Sequence, residues 1–279
     1  MTIEFNTLGP LEVVAENRVR IRLAPKARQV LALFLAHANQ VVGIEEIVEE
    51  LWGYDPPNSA ITTAQTYICH LRKTLNHHFT TMDRPPLLVT TVGPGYGLHM
   101  NGARSDVDAF RRLSVRGRAL IENGDPSQAA AHLNEALQIW RGSPLVNVHL
   151  GKFLRAHATK LKEEHIDTLE LRIEADLQLG RHRGLIGELR SLVQIHPKNE
   201  WLHARLIETL SYCGRRWEAL EAYQNLYAAL YRELGMVPSQ EVQELQRAIL
   251  GDGMINSQRP GRLLANNRRP GQAGTTSGI

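Results

Sequence analysis

The chain has 279 residues, a formal net charge of +3, and 43% hydrophobic residues. That length allows two domains, each large enough to bury its own core, and no apolar run approaches the roughly 18 residues of a membrane span. Two cysteines, Cys69 and Cys213, lie far apart and point to a reducing compartment rather than a disulfide framework. No Walker, HExxH or GxSxG motif signals an enzyme, and no cofactor is expected.

The charge is distributed unevenly. Residues 1–100 carry eight Lys or Arg against nine Asp or Glu, residues 101–250 carry twenty against nineteen, and the last 29 carry four arginines against Asp252. The global excess therefore says nothing about a nucleic-acid partner, and local placement has to decide.

IEFNTLGPLEVVAE and RVRIRL read as three short strands, turning at Gly9-Pro10 and near Glu16-Asn17. A helix follows over Pro25 to Ala38, with proline at its start and cations in its first turn. VVG gives a short strand and Ile44 to Trp52 a second helix, with Ile44, Ile47, Val48, Leu51 and Trp52 inward and Glu45, Glu46, Glu49 and Glu50 making it acidic. Asp55, Pro56 and Pro57 break the chain before a third helix.

That third helix, Asn58 to Leu75, is the most informative segment. At about 100° per residue, Ile61, Ala64, Ile68, Leu71 and Leu75 form one apolar arc, and Thr62, Thr63, Thr66, Cys69, His70 and Lys73 occupy the opposite face. No acid occurs from Asn58 to Phe79. Threonine hydroxyls and methyls, a histidine and cations suit base edges in a major groove. LLVTTV and YGLHM flank Gly93-Pro94-Gly95 and predict a hairpin wing. GPGYG has no helix behind it to aim amides at a phosphate, so it is not a nucleotide loop.

The second half reads as helical. ENGDPSQAAAHLNEAL, QLGRHRGLIGELRSLV and YCGRRWEALEAYQNLY each place an amphipathic helix after a glycine turn, and Gly180 and Gly214 are 34 residues apart, a tetratricopeptide-like spacing. Gly124 to Gly180 is longer by 22 residues, which one long helix over Leu150 to Leu179 accommodates. Stacked pairs offer a concave face for a peptide or protein, or a dimerisation surface. Trp140, Trp201 and Trp217 are expected in helix packing, and His149, His157 and His165 as ordinary surface histidines. His70 and His77 complete no zinc spacing, and no metal is expected. The Gly-, Pro- and Arg-rich text after Leu250 predicts a disordered tail.

The expected fold is therefore mainly α with small β elements: a winged helix-turn-helix over 1–100, an all-α tetratricopeptide-like domain over 101–250, and a tail over 251–279. LGPL, YICHLRKTL and TVGPGY resemble the winged helix-turn-helix of OmpR-type response regulators. SDVDAFRRLSVRGRALIENGDPSQAAAHLNEALQIWRGSPL and WLHARLIETLSYCGRRWEALEAYQNLYAALYRELGMVPSQEVQELQRAIL resemble the bacterial transcriptional activation domain. In this order the two resemble the Streptomyces antibiotic regulatory protein family over residues 1–250.

The resemblance implies a cytoplasmic, nucleoid-associated activator of a secondary-metabolite gene cluster. Such a protein binds direct repeats in double-stranded promoter DNA near the −35 region, as a dimer. It recruits RNA polymerase holoenzyme through the sigma factor and the C-terminal domain of the alpha subunit. Base contacts are expected from Thr62, Thr63, Thr66 and His70, and backbone contacts from Lys26, Arg28, Arg72, Lys73, Thr90, Thr91, Gly95 and the amides at the start of the first helix. Glu45, Glu46, Glu49, Tyr54 and Asp55 are expected to face the polymerase. The alternative is a tetratricopeptide-like adaptor with weak DNA affinity.

Overall fold

Proline and glycine punctuation sets the elements of this chain. The computed structural model describes residues 3–15, 18–79, 89–93 and 95–251, the side chains of 78–79 and 89–92 excepted. These form two compact units, residues 1–172 and 173 onward. No described helix is long and apolar enough to cross a membrane.

In the first unit, β1 (Glu4–Asn6) pairs antiparallel with β2 (Glu12–Val14). The expected third strand is reduced to a single bridge between Val14 and Arg20. The third full strand is instead β6 (Arg104–Ser105), which pairs parallel with β1 on the opposite edge from that bridge and completes the order β2-β1-β6. Thus a segment beyond the expected wing closes the first sheet. A second sheet has the order β3-β5-β4, from β3 (Val41–Gly43), β5 (Gly95–Leu98) and β4 (Val89–Val92). Glycine is required at position 95 because a Cβ there would lie 2.7 Å from both Val41 Cγ1 and the Val42 carbonyl.

Helix α1 (Pro25–Ala36) buries Val30, Leu31, Ala32, Leu33 and Phe34 at the centre of the core. It ends two residues earlier than expected because Asn39 adopts φ 63° and turns to the sheet. There its N–H donates to Leu98 O at 2.9 Å and its Oδ1 accepts from Met100 N at 3.1 Å. Helix α2 (Ile44–Trp52) buries Ile47 and Leu51, with Ile44, Val48 and Trp52 packed partly buried against the same core. Helix α3 (Ala60–Phe79) follows.

Helices α4 (Asp106–Glu122) and α5 (Pro126–Gln138) are capped by Ser105 and Asp125, whose side chains accept from Asp108 N and Gln128 N. They pack Val107, Phe110 and Ala136 with Leu8 and Leu161. Trp140 lies just beyond α5, edge-on to Phe110 at 5.5 Å and to His165 at 4.4 Å. Helix α6 (Lys152–Gln178) is the expected long helix and runs past the end of the first unit.

The second unit contains α7 (His182–Ile195), α8 (Glu200–Tyr212), α9 (Arg216–Leu234) and α10 (Gln240–Leu250). The predicted glycine turns are present: Gly124, Gly180 and Gly214 take φ of 77°, 73° and 75° before α5, α7 and α9. Trp217 departs from expectation, being 68% exposed. The expected tail over 251–279 lies outside the described residues beyond Gly251.

Of the three histidines expected at the surface, His149 is exposed, whereas His157 and His165 are half-buried. His157 is held at a pKa of about 4, first by burial, then by Arg111 and His37, with Glu164 acting in the opposite direction and Lys160 adding to the lowering. As pH falls below the ordinary 6.5, the unfolded chain takes up a proton that the folded chain refuses, so stability is lost progressively toward pH 4. Denaturation midpoints measured across that window should fall more steeply for wild type than for His157→Gln. Parallel curves would remove His157 from the acid response.

Candidate nucleic-acid interface

The recognition surface follows from how α3 is anchored. Ala60, Ala64, Ile68, Leu71 and Leu75 are each at most 5% exposed, and they fix the helix roll. Ile61, expected on that stripe, is 53% exposed; Ala60 replaces it, because the helix begins with Ala60 turned inward. Burial of this stripe leaves Thr62, Thr66, Cys69, His70 and Lys73 exposed and Thr63 half-buried. The face expected to meet bases is thus the face presented.

Hydroxyl geometry differs along this face. Thr66 Oγ1 donates to Thr62 O at 2.9 Å, which commits its proton to the helix and leaves its lone pairs and methyl outward. Thr63 Oγ1 instead donates to Ser59 Oγ at 3.4 Å. The first turn of α3 carries no acid.

A cleft of about 320 Å³ separates α3 from the start of α1. Arg22, Leu23, Ala24, Lys26 and Ala27 line one side, and Tyr67, His70, Lys73 and Thr74 the other. Ala24 gives α1 no side-chain cap and its first turn has no acid. The Lys26 and Ala27 amides stand where a helix lacks internal acceptors and attracts anions. Sequence reasoning missed Arg22 and Tyr67 as wall residues; Tyr67 is placed by stacking on Trp52 at 6.4 Å.

The expected phosphate ligands divide accordingly. Lys73 is exposed beside the cleft. Lys26 is half-buried, its ammonium donating to Leu51 O at 2.7 Å and lying 5.7 Å from the Trp52 ring centroid. Burial lowers its pKa, and the Glu50 charge works against that lowering. Arg28 is drawn inward, donating to Asn147 O at 3.0 Å and Leu23 O at 3.1 Å. Arg72 is half-buried and engaged within the protein. Gly95 is a buried sheet residue, paired with Gly43 and Val92, rather than a wing tip. Thr90 and Thr91 pair with Gly97 and Tyr96, and their side chains lie outside the described residues.

The acidic surface is also reshaped. Glu45 and Asp55 are exposed, and Tyr54 is 99% exposed on the loop after α2. Glu46 lies 3.6 Å from His37 Nε2. Glu49 Oε1 accepts from Lys152 Nζ at 2.8 Å. Of the five expected polymerase-facing residues, Glu45, Tyr54 and Asp55 are therefore the ones open to a partner, whereas Glu46 and Glu49 are engaged from the end of α1 and from α6.

Comparison with known proteins places these features in a family. Residues 17–98 match the model described as transcriptional regulatory protein, C terminal, and residues 105–250 match the bacterial transcriptional activator domain. Regulatory protein DnrI of Streptomyces peucetius is 39% identical over 250 residues, covering 89% of this chain and 92% of that protein. Transcriptional regulatory protein MoaR1 of Mycobacterium tuberculosis is 34% identical, covering 89% and 79%. The solved structure of Mycobacterium tuberculosis EmbR in complex with a low affinity phosphopeptide superposes with a TM-score of 0.81 at 30% identity, covering 89% of this chain and 65% of that one. Against regulatory protein AfsR of Streptomyces griseus the match spans only 24% of the relative's length.

Proposed function

We propose that this chain, which belongs to the Streptomyces antibiotic regulatory protein family of transcriptional regulators, is a sequence-specific, cytoplasmic activator of a secondary-metabolite gene cluster. The observation that carries this reading is the exposed, acid-free face of α3 beside a basic cleft. Thr62, Thr63, Thr66 and His70 would read base edges in the major groove. Lys73, Lys26, Arg22 and the α1 amides would grip phosphate across the cleft, with Arg72 on its flank.

Direct repeats near the −35 region would seat two copies head to tail. The α2–α3 loop would then meet RNA polymerase, with Tyr54, Asp55 and Glu45 the contacts best presented for it. Tyr54→Ala with Asp55→Lys should reduce transcription in a purified polymerase assay at least several-fold while DNA affinity changes little. Equal loss of both would remove the loop from the activation step.

Selection of genomic fragments by the purified protein at near-physiological salt tests the reading as a whole. Recovery of a short direct repeat upstream of one cluster supports it. Recovery of no enriched motif would favour the adaptor alternative.

A further inference from the structure

Glu50 is the one glutamate of the acidic second helix that is buried, being 2% exposed. Its Oε1 accepts the Gly151 N–H at 2.6 Å, and its Oε2 accepts the N–H groups of Phe153 at 2.8 Å and Leu154 at 3.2 Å. One carboxylate thus caps the start of α6, where N–H groups lack internal acceptors and negative charge is favoured. Glycine is needed beside it: a Cβ on Gly151 would lie 2.3 Å from the Glu50 carbonyl and 2.7 Å from its carboxyl carbon.

The same residue is tied to the cleft. Its carbonyl accepts from Gln29 Nε2 at 2.8 Å, and Gln29 is 1% exposed. Gln29 Oε1 accepts from Lys26 Nζ at 3.4 Å, and the carbonyl of the adjoining Leu51 accepts from the same ammonium at 2.7 Å. Lys26 lines the cleft opposite His70 and Lys73. A connected polar path therefore runs from the cleft, through Gln29 and the end of α2, to the first turn of α6.

We infer that Glu50 is a positioning residue for DNA recognition: it holds the end of α2, and through it the Lys26 ammonium, in the place that grips phosphate, and makes the start of α6 a working part of the DNA-binding head. The inference rests on the DNA-binding reading above. Neutralising the carboxylate removes the charge that supports the Lys26 cation and loosens the carbonyls that orient it.

The experiment is a double-mutant cycle on the full chain, with Glu50→Gln, Lys26→Ala and the pair, using the duplex recovered by selection. Affinity is measured from low to moderate salt, well below each variant's unfolding midpoint. Each single variant should lose about 5-fold or more in affinity and flatten the salt dependence by roughly one phosphate contact, a slope change near 0.9. The pair should lose no more than either single variant, because the two act as one unit.

Additive losses, or an unchanged slope in Glu50→Gln, would make Glu50 merely structural and overturn the inference. If Glu50→Gln does not fold, wild type still decides by NMR: duplex addition should shift the Gly151 amide resonance, and a static resonance overturns the inference. Should wild type select no duplex, the DNA-binding reading fails and this one falls with it; normal selection with additive variants rejects this one alone.

Discussion

Replacing Asp106 by alanine should cost the first unit about 3 to 5 kcal/mol, the range found when one partner of a buried charged network is removed. The Asp106 side chain is 5% exposed. Its oxygens accept the Thr7 N–H at 2.9 and 2.7 Å, the Leu8 N–H at 2.8 Å and the Thr7 hydroxyl at 3.3 Å. Arg141 Nη2 adds a charge-assisted bond at 3.1 Å, and its backbone N–H donates to Leu8 O at 2.8 Å.

Alanine would leave two buried main-chain donors without their acceptor, each keeping its desolvation cost, whereas the Arg141 guanidinium, 34% exposed, would keep its bond to Glu12 at 2.9 Å. The β1–β6 edge is the first place to loosen, since Asp106 directly follows β6. Urea unfolding with amide exchange at Thr7 and Leu8 measures this; Asp106→Asn, which keeps one acceptor oxygen, should lose less than alanine. A loss under about 1 kcal/mol in Asp106→Ala would contradict the network's role.

Thr66→Ala and His70→Ala should each remove about 1 to 3 kcal/mol of discrimination between target and altered base pairs, the worth of a good base contact. Both side chains are exposed on α3, so neither change should move stability by more than about 0.5 kcal/mol. The Thr66 hydroxyl bonds within the helix, which leaves its methyl and lone pairs for the groove; Thr66→Val keeps the methyl and loses the oxygen. If thymine contact is the reading mode, valine should retain most of the preference that alanine loses. Titration against a panel of single-base variants measures both. Unchanged preference in the double alanine variant would move recognition off this face.

Local periodicity makes much of this legible. The stripe on α3 is set by neighbours along the same helix, so Ala64, Ile68, Leu71 and Leu75 can be placed without knowing what they pack against. The glycine turns at 124, 180 and 214 are legible for the same reason: each is a local break demanding positive φ. Ile61 departs from its expected place because angle alone does not tell whether the first turn of a helix is covered.

What escapes the sequence is long-range. β6 forms from two residues with no strand pattern of their own, recruited by β1 across about a hundred residues of chain. Glu50 reads like its three acidic neighbours until the start of α6 arrives to take its carboxylate. Arg28 reads as a phosphate ligand until Asn147 brings a carbonyl to it. In each case the deciding partner lies in a distant part of the chain, where spacing along one helix carries no information.

The most direct measurement is the affinity of the purified protein for the selected duplex and for a scrambled duplex of equal length, at one near-physiological salt concentration. Recognition by the α3 face predicts a preference of roughly 10³-fold or more, as specific binders show over nonspecific DNA. Equal affinity for the two duplexes would contradict it.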